Sequence, residues 1–230
     1  EIASCLVGSE MCIRDRNTED CVDDSPGFHR GTGWYRRNIQ VDSSMLNRSL
    51  YIFFEGANQR TELFVNHHRV GEHIGGYTFF CFDITPYIKE GENLLAVRVD
   101  NSYDSDIPPL SADFTFFGGI YRDVSLISVS PVHISTTHYA SSGVYVSTPE
   151  ITKEKALVDI CTMLSNTQTE REKILVEHKI FSATGECVAA SKKKVIVDTQ
   201  KEQAFKTQIV VNHPCLLYTS PSPRDKRQSR

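Results

Sequence analysis

Long apolar runs, an excess of basic charge and metal-type cysteine spacing are all missing from this chain, and each absence removes a class of function. No stretch approaches the ~20 apolar residues that a helix needs to cross a bilayer, so no membrane partner is expected. Lys and Arg number 25 against 29 for Asp and Glu, a formal net charge of -4. Nucleic acid asks for a basic face, so no nucleic-acid partner is expected either. Cysteine occurs seven times, but never as a Cys-x-x-Cys pair or in a Cys/His cluster at zinc spacing. Cys81, Cys161 and Cys187 are expected to be free, buried thiols, and neither a metal nor a cofactor is expected. Helix-period windows of useful length are absent as well. What is present is 40% hydrophobic and 23% charged residues in 230, ordinary for a soluble chain of one or two domains.

The two ends carry no hydrophobic period of any kind. CLVGSEMCIRDR (5–16) and CLLYTSPSPRDKRQSR (215–230) resemble conceptual translations of sequencing-adapter DNA. Residues 1–16 and 215–230 are therefore set aside as tails. The segment between them is expected to be a piece of a longer reading frame. A soluble bacterial protein of periplasm or cytoplasm is the expectation, and a missing leader says nothing about which.

Between the ends, short apolar segments alternate with turn residues. Ile39 and Val41 alternate as in a half-buried strand, and the preceding Trp34, the only tryptophan, is expected in the core rather than in a ligand-stacking role. LYIFFE (50–55) stops at Gly56; TELFV (61–65) runs into Asn66-His67-His68, where a hairpin must turn. His67, His68 and His73 could be read as ligands or bases, but turn and edge exposure is the expectation. FFCFDI (79–84) is followed by Thr85-Pro86, an N-cap and first-turn signal for one short helical turn that Gly91 stops. Leu95, Val97 and Val99 then alternate with polar residues. After Pro131, further strands are expected near 132–137, 144–147, 156–164, 173–181, 193–197 and 205–211, with turns at 165–166 and 183–186. Many short strands with turn signals between them indicate sandwiches.

The most informative stretch is SADFTFFGGIYRDV (111–124). Two consecutive glycines in a strand-like context ask for positive φ, a bulge or a close approach, and three phenylalanines in a loop ask for something to cover them. Together with GTGWYRR (31–37) and VGEHIGGYTFFCFDITPYI (70–88), it resembles the N-terminal sugar-binding domain of glycoside hydrolase family 2, the β-galactosidase and β-glucuronidase relatives.

The resemblance implies an all-β chain: a galactose-binding-like jelly roll over 17–129, N-terminally incomplete, then an immunoglobulin-like sandwich over 130–214. It implies a parent glycosidase acting on β-linked glycosides, with β-galactosidase placed first. Retaining glycosidases use two carboxylates about 5 Å apart, and the resemblance puts both glutamates in a barrel domain beyond this chain. That barrel would pack on the 111–124 loop. No residue here is assigned a catalytic role, and this chain alone is expected to be inactive.

Asp113, followed by Phe114, matches an aspartate that in the family reaches across to a sugar hydroxyl. Read from the residues alone, it fits equally well as a loop cap bonding nearby backbone amides. Arg122 and Asp123 match positions with structural roles, expected as an ion pair with the loop or the next domain. Alternative functions are a carbohydrate-binding or adhesion module without hydrolysis, or part of a β-glucuronidase or β-mannosidase.

Overall fold

The computed structural model describes residues 2–3, 31–108 and 118–215. Asp113 and Phe114, like most of the two set-aside ends, lie outside the described residues. Every strand pairing below is antiparallel. The chain divides into two compact units, Glu1–Ser141 and Ser142–Arg230.

The first unit is a sandwich of two four-stranded sheets. One has the order β1 (Ile2–Ala3), β10 (Val124–Val129), β3 (Ser49–Phe54), β7 (Phe80–Asp83). The other runs β2 (Thr32–Val41), β8 (Gly91–Asp100), β5 (Arg60–Val65), β6 (His68–Ile74). Two further short strands, β4 (Ala57–Asn58) and β9 (Gly119–Ile120), pair with each other, and a short β11 (Val132–Ile134) follows β10.

Side-chain alternation explains the core. On β8, Asn93, Leu95, Val97 and Val99 are buried while their neighbours are half-buried or exposed; on β5 the buried set is Thr61, Leu63 and Val65. These meet Leu50, Ile52 and Phe54 of β3 and Val124 and Leu126 of β10 in a single apolar cluster. Phe54 stacks on Phe80 at 4.6 Å and meets Phe82 edge-on at 6.1 Å, the offset geometries that aromatic rings prefer.

Buried Asn93 belongs in that interior because all its polar atoms are used. Its Oδ1 accepts from Lys89 N (2.9 Å) and Asn66 Nδ2 (2.8 Å), and its Nδ2 donates to the carbonyls of Lys89 and Gly91. Asn66 Oδ1 in turn accepts from Leu94 N at 3.0 Å. Two turns are thereby joined through one amide pair, a satisfied network in a low-dielectric site.

One local expectation is met with an added detail and two are changed. Asn66 and His67 both have positive φ, 47° and 72°, so the hairpin keeps the two-residue turn with both central residues left-handed, and His67 itself adopts the conformation that glycine would take without steric cost. The short helical turn exists as a 3-10 segment, η1 (Thr85–Tyr87), but Thr85 does not cap it. Its hydroxyl instead bonds Leu50 N at 2.9 Å, across to β3, and Asp83 Oδ1 accepts from Thr85 N. Trp34 is not a core residue: it is 50% exposed. Tyr35, one position on, takes the inward place and its phenol oxygen accepts from Ile120 N at 3.2 Å.

In the second unit, β13 (Lys155–Asn166) pairs β12 (Val144–Ile151) on one side and β16 (Glu202–Asn212) on the other. The hairpin β14 (Glu172–Phe181), β15 (Cys187–Val197) turns at Gly185, φ 84°. Ala156, Val158 and Ile160 of β13 and Ile209 and Val211 of β16 form a small core to which Ile180 and Ala189 of the hairpin add. His178 joins the hairpin to β13 through Thr162 Oγ1 at 2.9 Å and stacks on Phe205. Of the thiols, Cys81 and Cys161 are partly buried, but Cys187 is exposed because it sits at the hairpin mouth. Burial pushes the Cys81 thiol up to about 12. Among the described residues no helix is long and apolar enough to cross a membrane.

Two predictions follow from the first unit. Replacing His67 by glycine removes the cost of a left-handed non-glycine residue, on the order of 1 kcal/mol, so Tm should rise by several degrees; an unchanged or lower Tm would show that the turn stores no such cost. Asp100 supplies the second. Burial acts upward on its carboxyl, but hydrogen bonds from Ser102 and Thr32 and the charge of Arg98 outweigh it and lower the pKa from 3.8 to about 2. A depressed acid stabilises the fold above its unfolded value and loses that contribution as pH falls through the folded one. Urea unfolding between pH 4 and pH 2 should therefore show a loss on the order of 2 kcal/mol from this group. Asp100→Asn should flatten that acid limb, and parallel pH profiles for the two proteins would refute the assignment.

Candidate functional site

The described part of the 111–124 stretch begins at Gly118, and its first task is to close a stem. Strand β9 lies against β4 with Asn58 opposite Gly119 and Ala57 opposite Ile120, and Glu55 N donates to Asp123 O at 3.0 Å. On the other side of the stem, Asn101 is buried and its Oδ1 accepts from Gly31 N at 2.8 Å. A Cβ on Gly118 would overlap the Asn101 side-chain amide, while Gly119 has φ 79°. Both reasons for a Gly-Gly pair, close approach and a left-handed backbone, are thus realised one residue apart. The two ends of the 101–118 segment are pinned beside each other.

Around this stem the polar groups are donors rather than acids and bases. The Tyr121 phenol donates to the Gly76 carbonyl, and burial raises its pKa, so it stays protonated. The Arg122 guanidinium lies 5.2 Å over the Tyr121 ring and donates to Glu55 O at 3.4 Å. Among the described residues Arg122 makes this cation-π contact, and the loop residues with which an ion pair is expected lie mostly outside the described residues. The Tyr77 ring lies 6.3 Å from that of Tyr121, and Tyr77, Phe79 and Tyr103 are exposed. Gln59 Nε2 donates to Ser102 O at 2.6 Å, fixing the start of the loop. Such a set can stack on and hydrogen-bond a hydroxyl-rich ligand.

Paired carboxylates do occur elsewhere on the unit. Glu62 and Glu72 stand opposite each other on β5 and β6, but Arg69 bonds both, at 2.9 and 2.8 Å, and Arg98 bonds Glu62 at 2.7 Å. Hydrogen bonds from Arg98, opposed by burial and reinforced by Arg69, hold Glu62 below the usual carboxylate range. A glycosidase acid needs the opposite shift, so this pair is an ion lattice.

The three histidines are not brought together. His67 and His68 are exposed at the turn, whereas His73 stacks on Phe80 at 4.1 Å, and burial lowers its pKa. Among the described residues no group of His, Cys, Asp and Glu forms a metal cluster. In the second unit a cavity of about 580 Å³ is lined by Lys193, Lys206, Asp159 and Cys161 among others; of these only Cys161 is singled out by sequence, as a free thiol. Sequence reasoning singled out the Gly-Gly pair but not its partner Asn101, nor Tyr77 and the role of Tyr121. Residues 101–106 (NSYDSD) are uniformly polar apart from Tyr103, and nothing in that local pattern marks Asn101 as the residue that reaches back to Gly118.

With this geometry in view, the similarities to known proteins are informative. The profile of glycosyl hydrolases family 2, sugar binding domain, matches residues 21–130. A putative beta-glucuronidase of Formosa agariphila is 34% identical over 186 residues, covering 80% of this chain and 22% of that protein. A beta-galactosidase of Thermoanaerobacter pseudethanolicus is 37% identical over 190 residues, covering 81% of this chain and 24% of that one. The crystal structure of a Bacteroides uniformis beta-glucuronidase superimposes with a TM-score of 0.78 at 36% identity, over 82% of this chain and 23% of that chain. The chain thus spans between a fifth and a quarter of the length of these three relatives. Both β-sandwich units fit this kinship, and residues 21–130 are the sugar binding domain of glycosyl hydrolases family 2.

Proposed function

We propose that this chain is the N-terminal part of a family 2 glycosidase that hydrolyses β-linked glycosides, with β-galactosides and β-glucuronides as the substrates to test. The observation that carries the reading is the similarity to named beta-glucuronidases and beta-galactosidases along 80% or more of the chain, at 34% and 37% identity. In this reading residues 17–129 are the sugar-binding jelly roll and 130–214 the immunoglobulin-like sandwich, and the parent's two catalytic carboxylates lie beyond the chain. The 101–118 loop, with its stem closed by Asn101 and Gly118, presents Asp113 to the substrate, and the catalytic body covers the apolar side chains of 111–124.

The stem supports a positioning role for the loop. A loop whose ends are fixed loses less entropy on ordering, and loops on rigid sandwiches are where recognition groups sit. If Asp113 accepts a hydrogen bond from a sugar hydroxyl, that charge-assisted bond contributes about 1.5–3 kcal/mol.

Two outcomes test this reading. The 230-residue chain should leave aryl β-galactosides and aryl β-glucuronides unhydrolysed above a buffer blank, because transition-state stabilisation needs both carboxylates held in place. Turnover by the isolated chain that survives Asp113→Asn would contradict it. In the parent, recovered by extending the coding sequence, Asp113→Asn should lower kcat/KM by roughly one to two powers of ten with Tm nearly unchanged. A loop cap behaves in the opposite way, so a destabilised but fully active Asp113→Asn enzyme would assign Asp113 to the loop instead.

A further inference from the structure

The outward face of the β2–β8–β5–β6 sheet takes no part in the function proposed above, yet it is built with unusual side chains. Register places Trp34, Arg98 and Glu62 side by side on β2, β8 and β5, and Arg36, Ala96 and Phe64 in the next row. Ala96 is too small to separate the rings on either side of β8, and the Trp34 and Phe64 centroids are 5.7 Å apart at 39°. Half of the Trp34 surface is open.

Beside the rings the charged groups are locked in place. Arg98 donates to Glu62 at 2.7 Å, to Asp100 at 2.9 Å and to the Thr32 hydroxyl at 3.1 Å. The carboxylates of Glu62 and Asp100 are mostly shielded, with 16% and 17% of their side chains exposed. Side chains already fixed by their neighbours lose little freedom when a ligand arrives. From β2 to β5 the face spans about 10 Å at the usual strand spacing, the scale of a disaccharide.

The chemistry selects the occupant. An apolar protein partner is a poor match, since charged residues are depleted at the centre of protein interfaces and here they stand in the middle of the face. A pyranose suits both features: its C–H face lies on an aromatic ring, and its hydroxyls bond planar guanidinium and carboxylate groups without stripping them fully of water. We propose that this sheet face is a carbohydrate-binding platform that takes a neutral, β-linked oligosaccharide across Trp34 and Phe64, with hydroxyls bonded to Arg98 and Glu62. The ligand class rests on the glycosidase reading; the platform rests on the sheet register.

Trp34 is the single tryptophan of the chain, so its emission reports on this face. Titration of the full 230-residue chain with cellohexaose, xylohexaose and a linear β-1,4-galactan oligosaccharide should shift Trp34 emission to the blue and saturate for at least one of them. Calorimetry with that sugar should show binding lost in Trp34→Ala and weakened about tenfold in Arg98→Lys, which keeps the charge but not the fork. Three results overturn the proposal: no shift with any of the three sugars up to about 10 mM, binding unchanged in Trp34→Ala, or a concentration-dependent dimer that itself buries Trp34. Failure here with an active parent enzyme leaves the glycosidase reading intact, and a saturating Trp34 titration with an inactive parent does the reverse.

Discussion

The pleat of β8 is the constraint on which the first unit depends. Ten residues, Gly91–Asp100, lie between β2 and β5, and their strict alternation divides the labour of the sheet. Leu95, Val97 and Val99 go inward to the apolar cluster, while Ala96, Arg98 and Asp100 go outward to the rings and the ion lattice. A slip of one residue would exchange the two sets, burying a guanidinium and a carboxylate and exposing three branched side chains. Burying even one unpaired charge costs several kcal/mol, so the register is specified from both faces at once.

Both ends of β8 are then tied to functional geometry by side-chain amides. At its start Asn93 and Asn66 join the η1 turn to the β5–β6 hairpin. At its finish Asn101 receives the Gly31 amide and fills the space that a Cβ on Gly118 would need. Asparagine is suited to both places because it donates and accepts from one short side chain. The apolar core sets the sandwich, but these amides decide where the loops leave it, and loop departure points decide what a loop can reach.

How much of this was legible in the sequence depended on whether the signal was periodic. The strand at Ile39 and Val41 was read by alternation, and the same parity counted back gives Tyr35 inward and Trp34 outward; the preference of large aromatics for interiors pointed the other way and lost to register. The hairpin turn at Asn66-His67-His68 was legible from its polar residues between apolar segments, but the left-handed backbone of His67 was not; the paired strands and the Asn66 amide bonds over-determine it. Thr85 had the residue type of a cap, yet its hydroxyl found a partner 35 positions away, at Leu50. Contacts of that kind depend on which strands become neighbours, and no local pattern encodes them. Cys187 came out exposed for the same reason: hydrophobic character set the expectation, and hairpin position decided the outcome. The Gly-Gly pair was the opposite case, a local requirement whose cause could be named before its partner was known.

The charge arrangement carries the last step. Every carboxylate of the outer lattice, Glu62, Glu72, Asp100 and Asp104, meets at least one guanidinium, and those with displaced pKa values are displaced downward. Glu62 and Asp100 are therefore held ionised at neutral pH and are poor proton donors to a leaving group. A glycosidase acid requires an apolar or anionic setting that raises its pKa, and the sandwich builds the reverse. What ionised, mutually braced groups do well is accept and donate hydrogen bonds at fixed positions. The same electrostatics that disqualify this sheet for acid catalysis therefore favour it as a surface for hydroxyl recognition, with Trp34 and Phe64 supplying the apolar half of the contact.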